Sequence, residues 1–194
     1  MLIYRSEFLN VATIPDETAC LALLEKYHCP DHIIEHSKAV WGVARIIGEG
    51  LIRKEHPIDM ALLKASCLLH DIAKYPCLVE KKGWHDVVGA EMLKEEGLAA
   101  IADIVAQHVR LTDRADSDIK EEHVLFYADK RVVHDRVVTL RERFRYLAET
   151  YGRTQELIDK LKIMEDSTFR LEERIFDLLD FSPDDVPTLL ENSQ

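Results

Sequence analysis

The chain lacks a basic face to offer a polyanion: 25 Lys and Arg stand against 36 Asp and Glu, a formal net charge of -11. Proteins that track a nucleic-acid backbone neutralise phosphates with clustered Lys and Arg, so no nucleic-acid polymer is expected as partner, and a small charged substrate is. A local cationic site still overrides a repulsive net field at close range. The four cysteines, Cys20, Cys29, Cys67 and Cys77, form no CxxC pair and no dense framework. That excludes a disulfide scaffold and leads us to expect reduced thiols and a cytoplasmic protein. No stretch approaches the roughly 18 apolar residues of a membrane span, so no membrane partner is expected. The opening Met1-Leu-Ile-Tyr-Arg-Ser-Glu-Phe has no basic segment followed by a long apolar run, and no targeting signal is expected there. Also missing are internal repeats, low-complexity tracts and the strand-like alternation that Asn-Gly or Asp-Gly turns would punctuate.

Helical periodicity is what remains, over a chain of 194 residues that suffices for one buried core with a helical extension. The spacing predicts a helix after Pro15 and a second from about Pro30 to Lys54, on which His36, Val40, Val43, Ile47 and Leu51 share a stripe that buries His36. After Pro57 a third helix, apolar on most sides and therefore central, carries His70 and Asp71 and runs on to Lys74. A helix from His85 stops at Gly97, and another spans about Leu98 to Val109. Asp118 with Glu121, and Thr139 with Glu142, resemble capping boxes that open two further helices. Gly152 ends the second of these before a long charged helix from Thr154 to about Leu179. This C-terminal helix reads as a cover or a homodimer contact, and the two-proline tail after Ser182 is expected to fray. The expectation is an all-α fold of seven to nine helices, with the candidate ligands confined to the region before about residue 137.

Six residues stand out by type and position: His36, His70, Asp71, His85, His108 and Asp129. Each is predicted on or beside the apolar face of a separate helix or turn. Burying an unpaired imidazole or carboxylate costs several kcal/mol, and a metal ion satisfies several such groups together. Four imidazoles with two carboxylates suit borderline divalent ions such as iron, manganese, cobalt or zinc; an all-oxygen shell would suit calcium or magnesium. Two ions bridged by Asp71 would leave positions open for water and substrate. His32, four residues before His36, offers a rival pair; His28, His56, His123 and His134 read as surface or packing residues. Trp41 and Trp84 read most simply as packing, although a base stacking on Trp84 beside His85 stays open.

The run His36-Ser-x-x-Val-x-x-x-Ala, then Leu-Leu-His70-Asp71-Ile-Ala-Lys74, His85-x-x-x-Gly-x-x-x-Leu, Gln-His108 and Tyr-Ala-Asp129-Lys resembles the HD superfamily of metal-dependent phosphohydrolases, over about residues 28 to 135. The order H…HD…H…H…D is similar to its two-metal branch. The resemblance implies an orthogonal helical bundle with an N-terminal helical segment over 1–27, an HD domain over 28–136 and a C-terminal helical extension over 137–194. It also implies hydrolysis of a phosphate ester or anhydride, with a nucleotide as the substrate class, by attack of a metal-bound hydroxide. His36, His70, Asp71 and Asp129 would hold one ion, and Asp71, His85 and His108 the second. Asp71 and Lys74 would act on the reaction, the ammonium meeting substrate phosphate; Lys74 as a side chain snorkelling at a helix end is the plainer reading. Arg110, Arg114 and Arg131 lie near proposed ligands and are candidate phosphate clamps, since guanidinium binds phosphate through two parallel hydrogen bonds. After His108 the chain reads Val-Arg-Leu-Thr, without the Gly-Tyr-Pro signature of the cyclic dinucleotide phosphodiesterases, and it lacks the second histidine of the diadenosine tetraphosphate hydrolases. A di-iron oxygenase using the same six ligands, or a metal or nucleotide sensor without turnover, are the alternative readings.

Overall fold

A computed structural model describes residues 13–81, 83–112 and 117–193. Among these run ten α-helices: α1 (Glu17–Lys26), α2 (Asp31–Arg53), α3 (Met60–Leu69), α4 (Lys74–Glu80), α5 (His85–Glu95), α6 (Ala99–Val105), α7 (Glu121–Lys130), α8 (Leu140–Tyr151), α9 (Gln155–Phe176) and α10 (Val186–Glu191). The all-α class stands. The helices in excess of the expected number come from a break in the third predicted helix and from order in the tail.

Caps explain several of the boundaries. Asp16 Oδ1 accepts from the Ala19 amide at 2.8 Å and opens α1; Asp59 Oδ1 accepts from the amides of Ala61 and Leu62, each at 3.0 Å, and opens α3. The Thr139–Glu142 box forms in full, with the Glu142 amide donating to Thr139 Oγ1 at 3.2 Å and the Thr139 amide to Glu142 Oε2 at 2.8 Å. The Asp118–Glu121 box does not. Helix α7 starts at Glu121 itself, and the Lys120 amide donates to His123 Nδ1 at 3.1 Å instead. Gly97, at φ 78°, provides the left-handed turn after α5.

The third predicted helix ends at Leu69, five residues short of Lys74. From there the Ile72 amide reaches Leu69 and the Lys74 amide reaches Asp71, three-residue spacings that replace the α-helical ladder. Neighbours on a regular helix diverge by about 100°, so adjacent side chains meet only by reaching round the turn. Here His70 and Asp71 face the same point, with Nε2 3.4 Å from Oδ2. Lys74 opens the separate helix α4.

Helix α3 lies between two hydrophobic clusters and contributes to both. On one side Leu63 and Cys67 join Val40, Val43, Ile47 and Leu51 of α2, Val124, Leu125 and Ala128 of α7, and the C-terminal Phe144, Leu171, Ile175 and Val186. On the other side Leu68 and Leu69 join Cys20, Leu24, Ala90, Leu93, Ile101 and Val105 from α1, α5 and α6. Each fully buried aliphatic side chain stabilises by about 1.5–3 kcal/mol. The six candidate ligands are carried at the junction of these clusters by α2, the end of α3, the start of α5, the turn after α6, and α7.

The tail does not fray. Ser182 and Asp185 form a box across the 3-10 turn Pro183–Asp185, Val186 is fully buried, and α10 packs on α2. The approach is close: a Cβ on Gly42 would lie 3.2 Å from Leu190 Cδ2. The other departure is a two-residue hairpin, β1 (Val132–Val133) and β2 (Arg136–Val137), antiparallel with Val132 opposite Val137. His134 turns it at φ 58°. No helix among the described residues is long and apolar enough to cross a membrane.

Candidate metal centre

Asp71 is 2% exposed and each of its oxygens faces different histidines. Oδ2 lies 3.4 Å from His70 Nε2 and 3.8 Å from His36 Nε2; Oδ1 lies 3.3 Å from His85 Nε2 and 3.6 Å from His108 Nε2. Asp129 approaches the first pair, its Oδ1 3.1 Å from His36 Nε2 and 3.9 Å from His70 Nε2. His36, His70 and Asp71 thus form one group that could hold a metal ion, and Asp71, His85 and His108 a second.

The histidines are oriented from behind. Nδ1 of His36 lies 2.7 Å from the His134 carbonyl, Nδ1 of His70 2.8 Å from that of Cys67, and Nδ1 of His108 2.7 Å from that of Val105. A carbonyl only accepts, so each Nδ1 carries the proton and each Nε2 turns a lone pair inward, the tautomer a metal ligand needs. Two details then ask for a cation. His70 Nε2 is buried and, among the described residues, has no hydrogen-bond partner. His108 Nε2 points its lone pair at His85 Nε2 only 3.1 Å away, where a proton or a shared ion must lie between them. The donors present therefore fit a metal pair by chemistry and by orientation.

The surrounding charges follow from burial and pairing. Burial penalises ionised Asp71, but His70 and Lys74 outweigh it and hold the carboxyl well below the usual range. Asp129 is likewise held down against its burial, chiefly by Lys130 and further by Arg143. Burial lowers His108 and Lys130; for His70 the two carboxylates overcome burial and raise it. The Lys74 stem is exposed, and its Nζ donates to Asp71 Oδ2 at 2.6 Å, which puts the ammonium at the solvent side of the centre.

The arginine expectations fare differently. Arg131 is corrected: it is 2% exposed and its fork is spent in the core, on the Val138 carbonyl at 2.7 Å, Tyr127 Oη at 2.5 Å and the Pro183 carbonyl at 3.0 Å. It clasps α7 to the C-terminal segment. Arg110 is exposed, its guanidinium 5.2 Å from the Trp84 ring centre and 3.6 Å from the buried Asp86. Arg114 lies outside the described residues. His32 is exposed while His36 is buried, so the rival pair is not brought together; His123 is buried against the start of α7. Trp41 is half-buried against the core, whereas Trp84 is exposed.

Two residues that sequence reasoning passed over also reach the centre. Buried Lys130 donates to Asp129 Oδ2 and to the His108 carbonyl, each at 2.7 Å, and so ties the two donor groups together. Its place directly after Asp129 was the available signal. Arg143, from α8, brings a terminal nitrogen to 3.7 Å from Asp129 Oδ1, and nothing local to it in the sequence announces this.

The HD domain family model matches residues 33–133 of the chain. Among curated proteins, the chain is 31% identical over 148 residues to a tRNA (cytidine(56)-2'-O)-methyltransferase of Thermoplasma volcanium, an alignment covering 69% of this chain and 41% of that one. It is 30% identical over 146 residues to the protein of the same name from Picrophilus torridus, covering 68% and 40%. An uncharacterized protein of Methanocaldococcus jannaschii is 23% identical over 152 residues, covering 71% of this chain and 88% of that one. The chain therefore spans about two fifths of the length of the two methyltransferases. No solved structure matches.

Proposed function

The chain belongs to the HD domain family, and from that premise we propose that it is a metal-dependent phosphohydrolase that cleaves a phosphate ester or anhydride, with a nucleotide as its substrate class. One observation carries the reading: Asp71 sits between two donor groups and turns one oxygen to each. His36, His70, Asp71 and Asp129 would hold one divalent transition-metal ion, and Asp71, His85 and His108 the other. When bound, such ions acidify water and polarise a phosphoryl oxygen.

The protein groups divide the remaining work. The anchored Nδ1 atoms keep three imidazoles in one tautomer and spare the reorganisation that a mobile site would need. Lys74 places its ammonium where charge builds on the phosphoryl oxygens as the bond to the leaving group breaks. Arg110 beside Trp84 is a candidate for an outer contact to the nucleotide. Cys20, Cys29 and Cys67, buried and outside any disulfide, support a reducing, cytoplasmic setting.

The two relatives are named for methyl transfer, and this chain spans about two fifths of each of them. Their name brings tRNA into the substrate panel even so. The test is the metal content of anaerobically purified protein, alongside phosphate release from nucleoside mono- and polyphosphates, dinucleotides, a generic phosphodiester and tRNA, with Asp71→Ala as the blank. About two transition-metal ions per chain and Asp71-dependent release are expected; a protein that takes up no metal under any loading condition contradicts the reading.

A further inference from the structure

Arg131 and Arg143 are both arginines with buried stems, and they are used in opposite ways. Arg131 satisfies its donors on protein acceptors at 2.5–3.0 Å. Arg143 satisfies none of them well. Its side chain is only 12% exposed, its Nε is buried without a hydrogen-bond partner among the described residues, and its approach to Asp129 Oδ1 is 3.7 Å, beyond hydrogen-bond length. A buried donor left open costs about 1–3 kcal/mol, more when charged, so such a group marks a position whose partner arrives from elsewhere.

Asp129 does not need the guanidinium. Lys130 already donates to its Oδ2 at 2.7 Å. Nor is Arg143 loosely held. It follows the Thr139–Glu142 box and lies between Leu140 and Phe144, both in the core, which fix its backbone. The charge balance points the same way. Lys74, Lys130 and Arg143 converge on two carboxylates, so the centre is cationic even before metal is added, inside a chain whose net charge is -11. Converging cationic groups with an open, planar donor suit an oxyanion.

We propose that Arg143 is a substrate-binding residue of this centre, donating to a phosphoryl oxygen of the substrate opposite Lys74. The inference rests on the phosphohydrolase reading and adds to it a residue from the helices that follow the matched segment 33–133. The phosphate clamp comes from α8, not from the arginines nearest the ligands in sequence.

The experiment is a calorimetric titration of the manganese-loaded full chain with inorganic phosphate, with metal content measured on each sample. Arg143→Met is expected to weaken phosphate binding about tenfold or more at unchanged metal content, the loss of one bidentate charged hydrogen-bond pair. Arg143→Lys, which keeps the charge and folds with the least disturbance, falls between Arg143→Met and the wild type. Arg141→Met, two residues away and packed on Phe169, binds phosphate as the wild type does. Phosphate affinity unchanged in both Arg143 variants overturns the inference while leaving the hydrolase reading intact. Loss of metal in proportion to phosphate also overturns it, because Arg143 would then act on the ligands. A metal-loaded wild type that binds no phosphate removes the hydrolase reading itself.

Discussion

The two sides of Asp71 differ in depth. On the Oδ2 side His36, His70 and Asp129 are at most 6% exposed, two Nδ1 atoms are fixed on carbonyls, and Lys130 braces the second carboxylate. On the Oδ1 side His108 is as deeply held, but the His85 side chain is 26% exposed and stands at the first residue of α5, where no side chain caps the helix. Exposed Trp84 and Arg110 flank it. One donor group is closed and rigid, as a permanently held ion requires. The other opens to solvent, as a position that exchanges water and admits substrate requires.

That asymmetry can be broken in steps. The largest effect is expected from His70→Ala, which removes the ligand with no exposure at all; metal affinity at the closed group falls more than about a hundredfold and phosphate release drops to the Asp71→Ala blank, read by metal analysis and turnover. Lys130→Met removes the bridge between Asp129 and the His108 carbonyl while keeping every proposed ligand in the chain, so metal affinity falls about 10–100-fold, measured by competition with a chelator. Trp84→Ala sits at the open rim and changes unfolding free energy by no more than about 0.5 kcal/mol in denaturant titration. A large destabilisation there would mean that the rim supports the fold.

The centre was more legible than its surroundings. Residue type and order alone picked out six side chains that the fold brings together around Asp71, because four imidazoles and two carboxylates on inward helix faces need partners. The arginines were harder to read for a geometric reason. Arg131 follows Asp129 by two residues, and positions two apart on a helix do not share a face, so it points into the core that α7 shares with Tyr127 and the C-terminal segment. Arg143 reaches the centre only through the packing of α8, which no local pattern encodes. The break after Leu69 contains no glycine or proline to announce it, and His70 and Asp71 face one point there. The hairpin escaped because His134-Asp135 is not a common turn pair, yet it delivers the carbonyl that orients His36. The tail did carry a signal: Ser182 to Asp185 is a capping box with proline at the first position, and it holds where the prolines had suggested fraying.

The most direct test of Asp71 as the link between two unequal donor groups is a calorimetric titration of chelator-stripped protein with manganese, wild type beside His85→Ala. The account predicts two binding events of different affinity in the wild type, with the tighter one retained and the weaker one lost in His85→Ala. A single event in the wild type, or loss of both in His85→Ala, would contradict it.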